Sequence, residues 1–223
     1  MTQQTWTAVD RYLDDLLVGH DAALEAVLQA SSEAGLPPIS VSPTQGKLLN
    51  LLARVRGARA ILEIGTLGGY SAIWMARALP ADGRLVTLEV DPKHADVARA
   101  SIARAGLAER VEVRLGPALD TLQRLGAENA GPFDLIFIDA DKPTLPEYFR
   151  WALRLSRPDT LIAIDNVVRD GAVIDSGSLD ASVQGVRRLN ELMASEPRVS
   201  ATAIQTVGAK GYDGFALALV TGP

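Results

Sequence analysis

Residues Ile61 to Leu79 read ILEIGTLGGYSAIWMARAL. A short apolar run ends at Gly65, a tight turn Gly65-Thr66-Leu67-Gly68-Gly69 follows, and Ile73, Trp74 and Arg77 then recur at helical spacing. A strand, a glycine turn and a helix in this order open a nucleotide-binding half of a doubly wound α/β sheet. Glycine lets backbone pass close to a ligand, and a helix start supplies unpaired N–H groups. The pattern is G-x-x-G-G rather than G-x-G-x-x-G, which argues against a dinucleotide. A tight turn with no ligand is the alternative reading of the same residues.

Upstream of this stretch, Val9, Tyr12, Leu13, Leu16 and Leu17 repeat at helical spacing, as do Leu24, Val27 and Leu28. Pro37-Pro38 breaks the pattern. Ser42-Pro43-Thr44-Gln45 reads as a capping box with proline at the first helical position, starting a helix through Val55. Residues 1–57 are thus expected to be helices packed on the sheet of an α/β core spanning 58–223, all in one domain.

Downstream, strands are expected at Leu85–Val90, Val111–Leu115, Asp134–Asp139 and Leu161–Asp165, with helices between them. The run DLIFID is apolar throughout its interior, which predicts a strand buried on both faces. Val167–Ala181 reads as a loop, and Val186, Leu189 and Met193 mark a helix. Val199–Val207 and Phe215–Val220 read as a hairpin joined through Gly208, Gly211 and Gly214, an antiparallel edge element. The alternation predicts an α/β class fold with a mostly parallel sheet.

Composition narrows the function. With 223 residues, 48% of them hydrophobic and 22% charged, the chain can bury a large core. A net charge of −5 leaves no basic face for phosphates, so no nucleic acid partner is expected. The absence of cysteine excludes disulfides, thiolate catalysis and zinc–thiolate sites. The opening MTQQTWTAVDRYLDD lacks a basic segment followed by an apolar one, and no apolar run approaches membrane-spanning length. A cytoplasmic protein with no membrane partner is expected.

In open α/β sheets, ligands bind beyond the carboxyl ends of the strands. Polar residues collect there: Glu63 and Gly65 on the first strand, Glu89 on the second, Asp139, Asp141 and Lys142 after the fourth, Asp165 and Asn166 after the fifth. Five acids at one sheet edge are costly unless something cationic sits among them. Glu89, about twenty residues past the glycine turn, is placed to accept hydrogen bonds from ribose hydroxyls. Asp139, Asp165 and Asn166 offer three hard oxygen ligands with no histidine or cysteine, a set for magnesium or calcium. An unrelated acid and an Asp-Asn turn would give the same spacing. Lys142, beside that cation position, is a candidate general base; a lysine paired with Asp139 or Asp141 is the alternative. His20 and His94 read as helix-surface residues, and Arg54, Arg56 and Arg59 as a solvated face.

LEIGTLGGYS, VTLEVDP, GPALDTL, FDLIFIDADK and IAIDN, in this order and spacing, resemble the cation-dependent O-methyltransferases, the group of catechol and caffeoyl-CoA O-methyltransferases and especially its small bacterial members. The resemblance covers nearly the whole chain. It implies a seven-stranded class I methyltransferase fold, Rossmann-like, with S-adenosylmethionine (SAM) as methyl donor. It implies that Glu63, Gly65, Thr66, Ser71, Glu89, Ala118 and Asp141 line the SAM site. Asp139, Asp165 and Asn166 would hold a divalent cation, usually magnesium, and Lys142 would be the base. It also implies a homodimer. Arg169-Asp170-Gly171 stands where plant members carry Trp-Asn-Gly, which argues against plant-type acyl-CoA acceptors. The expected reaction is methyl transfer to a hydroxyl of a catechol-like small molecule. The rival readings are a SAM-binding protein without catalysis and a nicotinamide-dependent oxidoreductase.

Overall fold

The computed structural model describes residues 2–222, so Met1 and Pro223 of the expected domain lie outside it. Strands β1 (Ala60–Ile64), β2 (Arg84–Glu89), β3 (Val111–Leu115), β4 (Leu135–Ile138), β5 (Leu161–Asp165), β6 (Val199–Gly208) and β7 (Gly211–Val220) form one sheet. Its order is β3-β2-β1-β4-β5-β7-β6. β1 pairs in parallel with both β2 and β4. The chain steps outward from β1 to β3, then returns to the other side of β1 as β4. The strand order therefore reverses between β1 and β4, and the crevice beyond their carboxyl ends is the switch point where ligands bind in such sheets.

Alternate residues of the central strands feed two cores, which is why these strands read as continuous apolar runs. Leu62, Ile64, Ile136 and Ile138 pack with Leu122 of α6 (Ala118–Ala127), Phe149 of α7 (Leu145–Arg154) and Leu189 of α8 (Ala181–Ser195). Ile61, Leu85, Leu135 and Phe137 face the other way. They meet Val27 of α2 (Ala22–Glu33), Leu49 of α3 (Pro43–Arg56), Ile73 of α4 (Tyr70–Ala76) and Ile102 of α5 (Pro92–Arg104). The helix starts follow their caps. The Ser42 hydroxyl accepts from Gln45 N at 3.2 Å, and Asp91 Oδ1 accepts from Lys93 N at 2.8 Å.

Two features differ from the sequence reading. β7 begins at Gly211, so Gly214 lies inside the strand rather than in the turn. A Cβ on Gly214 would stand 2.3 Å from Ile204 O and 2.7 Å from Val168 Cγ2, so this glycine serves close packing. The hairpin forms one edge of the sheet as expected, with β7 between β5 and β6, antiparallel to both, and β6 outermost.

The second difference is α1 (Gln3–Leu13), which continues into a π-helical turn, Asp14–Val18, and buries no residue. The sheet face is already covered by α2, α3 and α4. α1 instead docks on the hairpin tip by polar bonds, from Gln3 Nε2 to Gly208 O at 2.8 Å and from Ala209 N to Asp10 Oδ2 at 2.6 Å. Val9, Tyr12, Leu16 and Leu17 remain 50–65% exposed. No helix among the described residues is long and apolar enough to cross a membrane.

Candidate active site

A cavity of about 900 Å³ opens at the switch point. Gly65, Thr66, Ser71, Glu89, Ala118 and Asp141 line it, together with Asp139, Lys142 and Asn166. Gly65 adopts φ 101°, and a Cβ there would lie 2.1 Å from Asp139 O. Its first task is to let the glycine turn pass the end of β4. That contact brings the cofactor side and the Asp139 side of the crevice together.

Glu63 is placed differently from the other expected cofactor residues. It is fully buried and lies below the cavity rather than in its wall. Ser71 Oγ donates to its Oε1 at 2.5 Å and Thr87 Oγ1 to its Oε2 at 2.6 Å. The Thr87 hydroxyl also meets that of Thr66 at 2.5 Å. Glu63 therefore acts on the cavity through Ser71 and Thr66. Burial pushes its carboxyl up to about 8, against the two hydroxyl donors, with the charges of Asp139 and Glu89 adding to the rise.

Glu89 accepts four backbone N–H groups. Oε2 takes those of Thr66 at 3.3 Å and Leu67 at 2.8 Å, and Oε1 those of Val90 and Asp91, both at 2.9 Å. The acid at the end of β2 thus ties down the glycine turn of β1 while facing the cavity. His94 lines the same cavity with Nδ1 3.7 Å from Glu89 Oε1. Its position in the first turn of α5, directed back by the Asp91 cap, was the signal for this in the sequence.

The acids past β4 have separate partners. Asp141 receives the hydroxyls of Tyr148, at 2.5 Å, and Thr144. Burial and then the Asp141 carboxylate push the Tyr148 hydroxyl well above its ordinary range, which keeps it a donor. Lys142 is buried, and its Nζ stands 2.9 Å from Asp139 Oδ1. Asp165 lies close enough to feel both. Burial first, and then Asp139, push its carboxyl up to about 6. Lys142, the Gln45 side chain and Asn166 N, 2.8 Å away, pull it down. Gln45 was legible in sequence only as a capping residue; it also lines the second cavity with Asp165.

A second cavity of about 450 Å³ adjoins on the hairpin side, lined by Asp165, Asn166, Arg169, Lys210, Tyr212 and Phe215 among others. Asn166 and Arg169 line both cavities. Among the described residues no group of three or more His, Cys, Asp or Glu side chains converges on one point. A cation at Asp139, Asp165 and Asn166 would be held by two carboxylates and an amide oxygen. Those groups fit a hard divalent cation, because every donor is oxygen and the two carboxylates are close enough for each to raise the cost of the other's charge.

The strand order, the cavity at the switch point and the acid at the end of β2 define a class I SAM-dependent methyltransferase fold. An O-methyltransferase family model matches residues 17–219, and the chain belongs to that family. It is 58% identical over 220 residues to a catechol O-methyltransferase of Niastella koreensis, covering 99% of this chain and 100% of the relative. An O-methyltransferase of Bacillus cereus, solved in complex with SAH, is 62% identical with a TM-score of 0.98 over 99% of this chain and 100% of that one. TomG of Streptomyces achromogenes, an O-methyltransferase solved with SAM, is 57% identical with a TM-score of 0.96 over the full length of both chains. The chain is a SAM-dependent O-methyltransferase.

Proposed function

We propose that this enzyme methylates one hydroxyl of a catechol-like small molecule in a divalent-cation-dependent reaction. The observation that carries this reading is the meeting of the two cavities at Asn166, with the Asp139–Lys142 pair on one side and Asp165 on the other. The similarity to a catechol O-methyltransferase supports the acceptor class.

Asp139, Asp165 and Asn166 would hold the cation, magnesium by their chemistry. When bound it would supply a Lewis acid and a template for two neighbouring oxygens. SAM supplies an electrophilic methyl group on a sulfonium. The chain's own part is proton transfer and orientation. Lys142 Nζ, held beside Asp139, would take the hydroxyl proton as the neutral amine, the form that a cation bound next to it would favour. The Asn166 N–H holds Asp165 in place. Glu89, Thr66 and Ser71 hold the donor, and a fixed cavity supplies proximity to the acceptor.

Labelled SAM, magnesium and a panel of catechols test the reading, with products identified by mass spectrometry. Methylated catechol that disappears on chelation is the expected result. Transfer that survives exhaustive chelation would remove the cation, and no transfer to any vicinal diphenol would remove the acceptor class.

The enzyme works as a homodimer that covers the exposed face of Val9, Tyr12, Leu16 and Leu17. Light scattering should give twice the chain mass, and Leu16→Asp with Leu17→Asp should halve it. A monomer mass for the unaltered enzyme at micromolar concentration would overturn the assembly.

A further inference from the structure

The loop after β5 holds three non-glycine residues at positive φ: Asn166 at 61°, Arg169 at 57° and Asp170 at 54°. Side chains occupy this region at a cost, so something must impose it. That something is Asp213 on β7. Its Oδ1 accepts Val168 N at 2.9 Å, Arg169 N at 3.0 Å and Gly214 N at 3.0 Å. The hairpin clamps the loop, and the clamped loop presents Arg169 to both cavities.

The Arg169 guanidinium has donors to spare. Among the described residues it makes no hydrogen bond, and its Nε is buried without a partner. Its one ion pair among the described residues is a loose one, from Nη1 to Asp213 Oδ2 at 3.7 Å, longer than a hydrogen bond. Arg77 shows the contrast, engaging both oxygens of Asp21 at 2.6 and 3.2 Å. Lys210 lines the second cavity from the hairpin turn. Its ammonium donates to the carbonyls of Ile39, at 2.9 Å, and Ser40, which leaves one N–H free. Of the acids on that wall, Asp213 Oδ1 is committed to the loop, Asp10 to Ala209 N, Asp170 is exposed, and Asp165, which acts on Lys210 through its charge, belongs to the proposed cation site. Tyr212 and Phe215 supply aromatic surface beside the two cations.

We infer that the acceptor is an acidic catechol, a small aromatic ring bearing a carboxylate that Arg169 receives through its planar fork with Lys210 as second cation. This rests on the catechol reading and selects within it. A planar guanidinium with free donors matches a carboxylate's two oxygens in paired, charge-assisted bonds, a geometry an ammonium cannot reproduce. A cavity of about 450 Å³ suits a single-ring acid.

Matched acceptors test this: 3,4-dihydroxybenzoate, its primary amide, and the corresponding aminoethyl catechol, each with labelled SAM and magnesium. The acid should exceed the amide by about tenfold or more in kcat/KM, through KM, as paired charged hydrogen bonds require. Arg169→Gln should collapse that ratio towards one, Arg169→Lys should retain part of it, and Lys210→Met should lower it less. Equal use of amide or amine by the unaltered enzyme would overturn the inference. So would a loss in Arg169→Gln that falls equally on acid and amide, the mark of a loop support. If no catechol is turned over, the catechol reading fails, and calorimetry decides this one separately. With SAH present, the acid should bind more tightly than the amide, and only while Arg169 is intact. Equal binding, or none, would overturn it.

Discussion

Lys142 Nζ lies 2.9 Å from Asp139 Oδ1, while Asp141, between them in the chain, turns to the hydroxyls of Tyr148 and Thr144. The three polar residues among the four that follow β4 are thereby divided between two tasks. Asp141 is solvated by two neutral hydroxyl donors and lines the larger cavity. The Asp139–Lys142 pair faces the reaction.

Lys142→Met keeps the buried stem and deletes the amine. Turnover of a catechol at neutral pH should fall by about 10²–10⁴-fold, the range for a general base. SAM affinity, read by calorimetry, should change little. The deficit should narrow as pH rises and hydroxide takes over the proton. A variant with an unaltered rate at neutral pH would leave Lys142 as a partner of Asp139 and nothing more.

Asp139→Ala removes one proposed cation ligand and leaves Lys142 without its ion pair. Magnesium-stimulated turnover should vanish while SAM still binds, because Asp139 meets the donor side mainly through its backbone carbonyl against Gly65. Stepwise magnesium titration of the rate is the measurement. Full magnesium stimulation in the variant would exclude Asp139 as a ligand.

Glu89→Ala should weaken SAM by roughly 1.5–3 kcal/mol, the worth of hydrogen bonds to a charged group. The structure adds a second consequence. Four backbone N–H groups lose their acceptor, so the Thr66–Leu67 turn should loosen as well. Calorimetry should show weaker binding, and hydrogen exchange should rise at Thr66 and Leu67. Unchanged SAM affinity in a folded variant would take Glu89 out of the site.

The sheet was legible because its strands obey simple rules. Leu135–Ile138 is apolar without alternation because both faces are covered, and Gly65 marks a turn because nothing larger passes Asp139 O. The polar strand ends were legible for the same reason: the switch point gathers them. Their pairing was not. Whether Lys142 meets Asp139 or Asp141 depends on the 3-10 turn at Lys142–Thr144 that follows them, and residue spacing allows both. Gln45 and Arg169 reach the site from α3 and from a loop clamped by β7, and no local pattern records contacts between elements so far apart in the chain. The outward face of α1 was misread because helical periodicity marks an apolar stripe without saying what covers it.

Glu63 gives a prediction about stability rather than rate. Its carboxyl is fully buried, touches only hydroxyls, and sits at about 8 against an ordinary value of 4.5. Below about 4.5 folded and unfolded chains both carry the proton, and nothing is lost. Above it the unfolded chain releases the proton while the folded chain keeps it. Stability must then fall with rising pH until the folded group ionises near 8, at most about 1.4 kcal/mol per pH unit for one proton. Glu63→Gln cannot ionise, and the Ser71 and Thr87 hydroxyls can turn to meet an amide. Urea unfolding of the cofactor-free protein, unaltered and Glu63→Gln, at pH 5.5, 7 and 8.5 isolates the effect, because the other titrating groups cancel in the difference. The unaltered protein should lose ground to the variant steadily across that window. A difference that stays flat with pH would mean that the two hydroxyls outweigh burial and that Glu63 is ionised throughout.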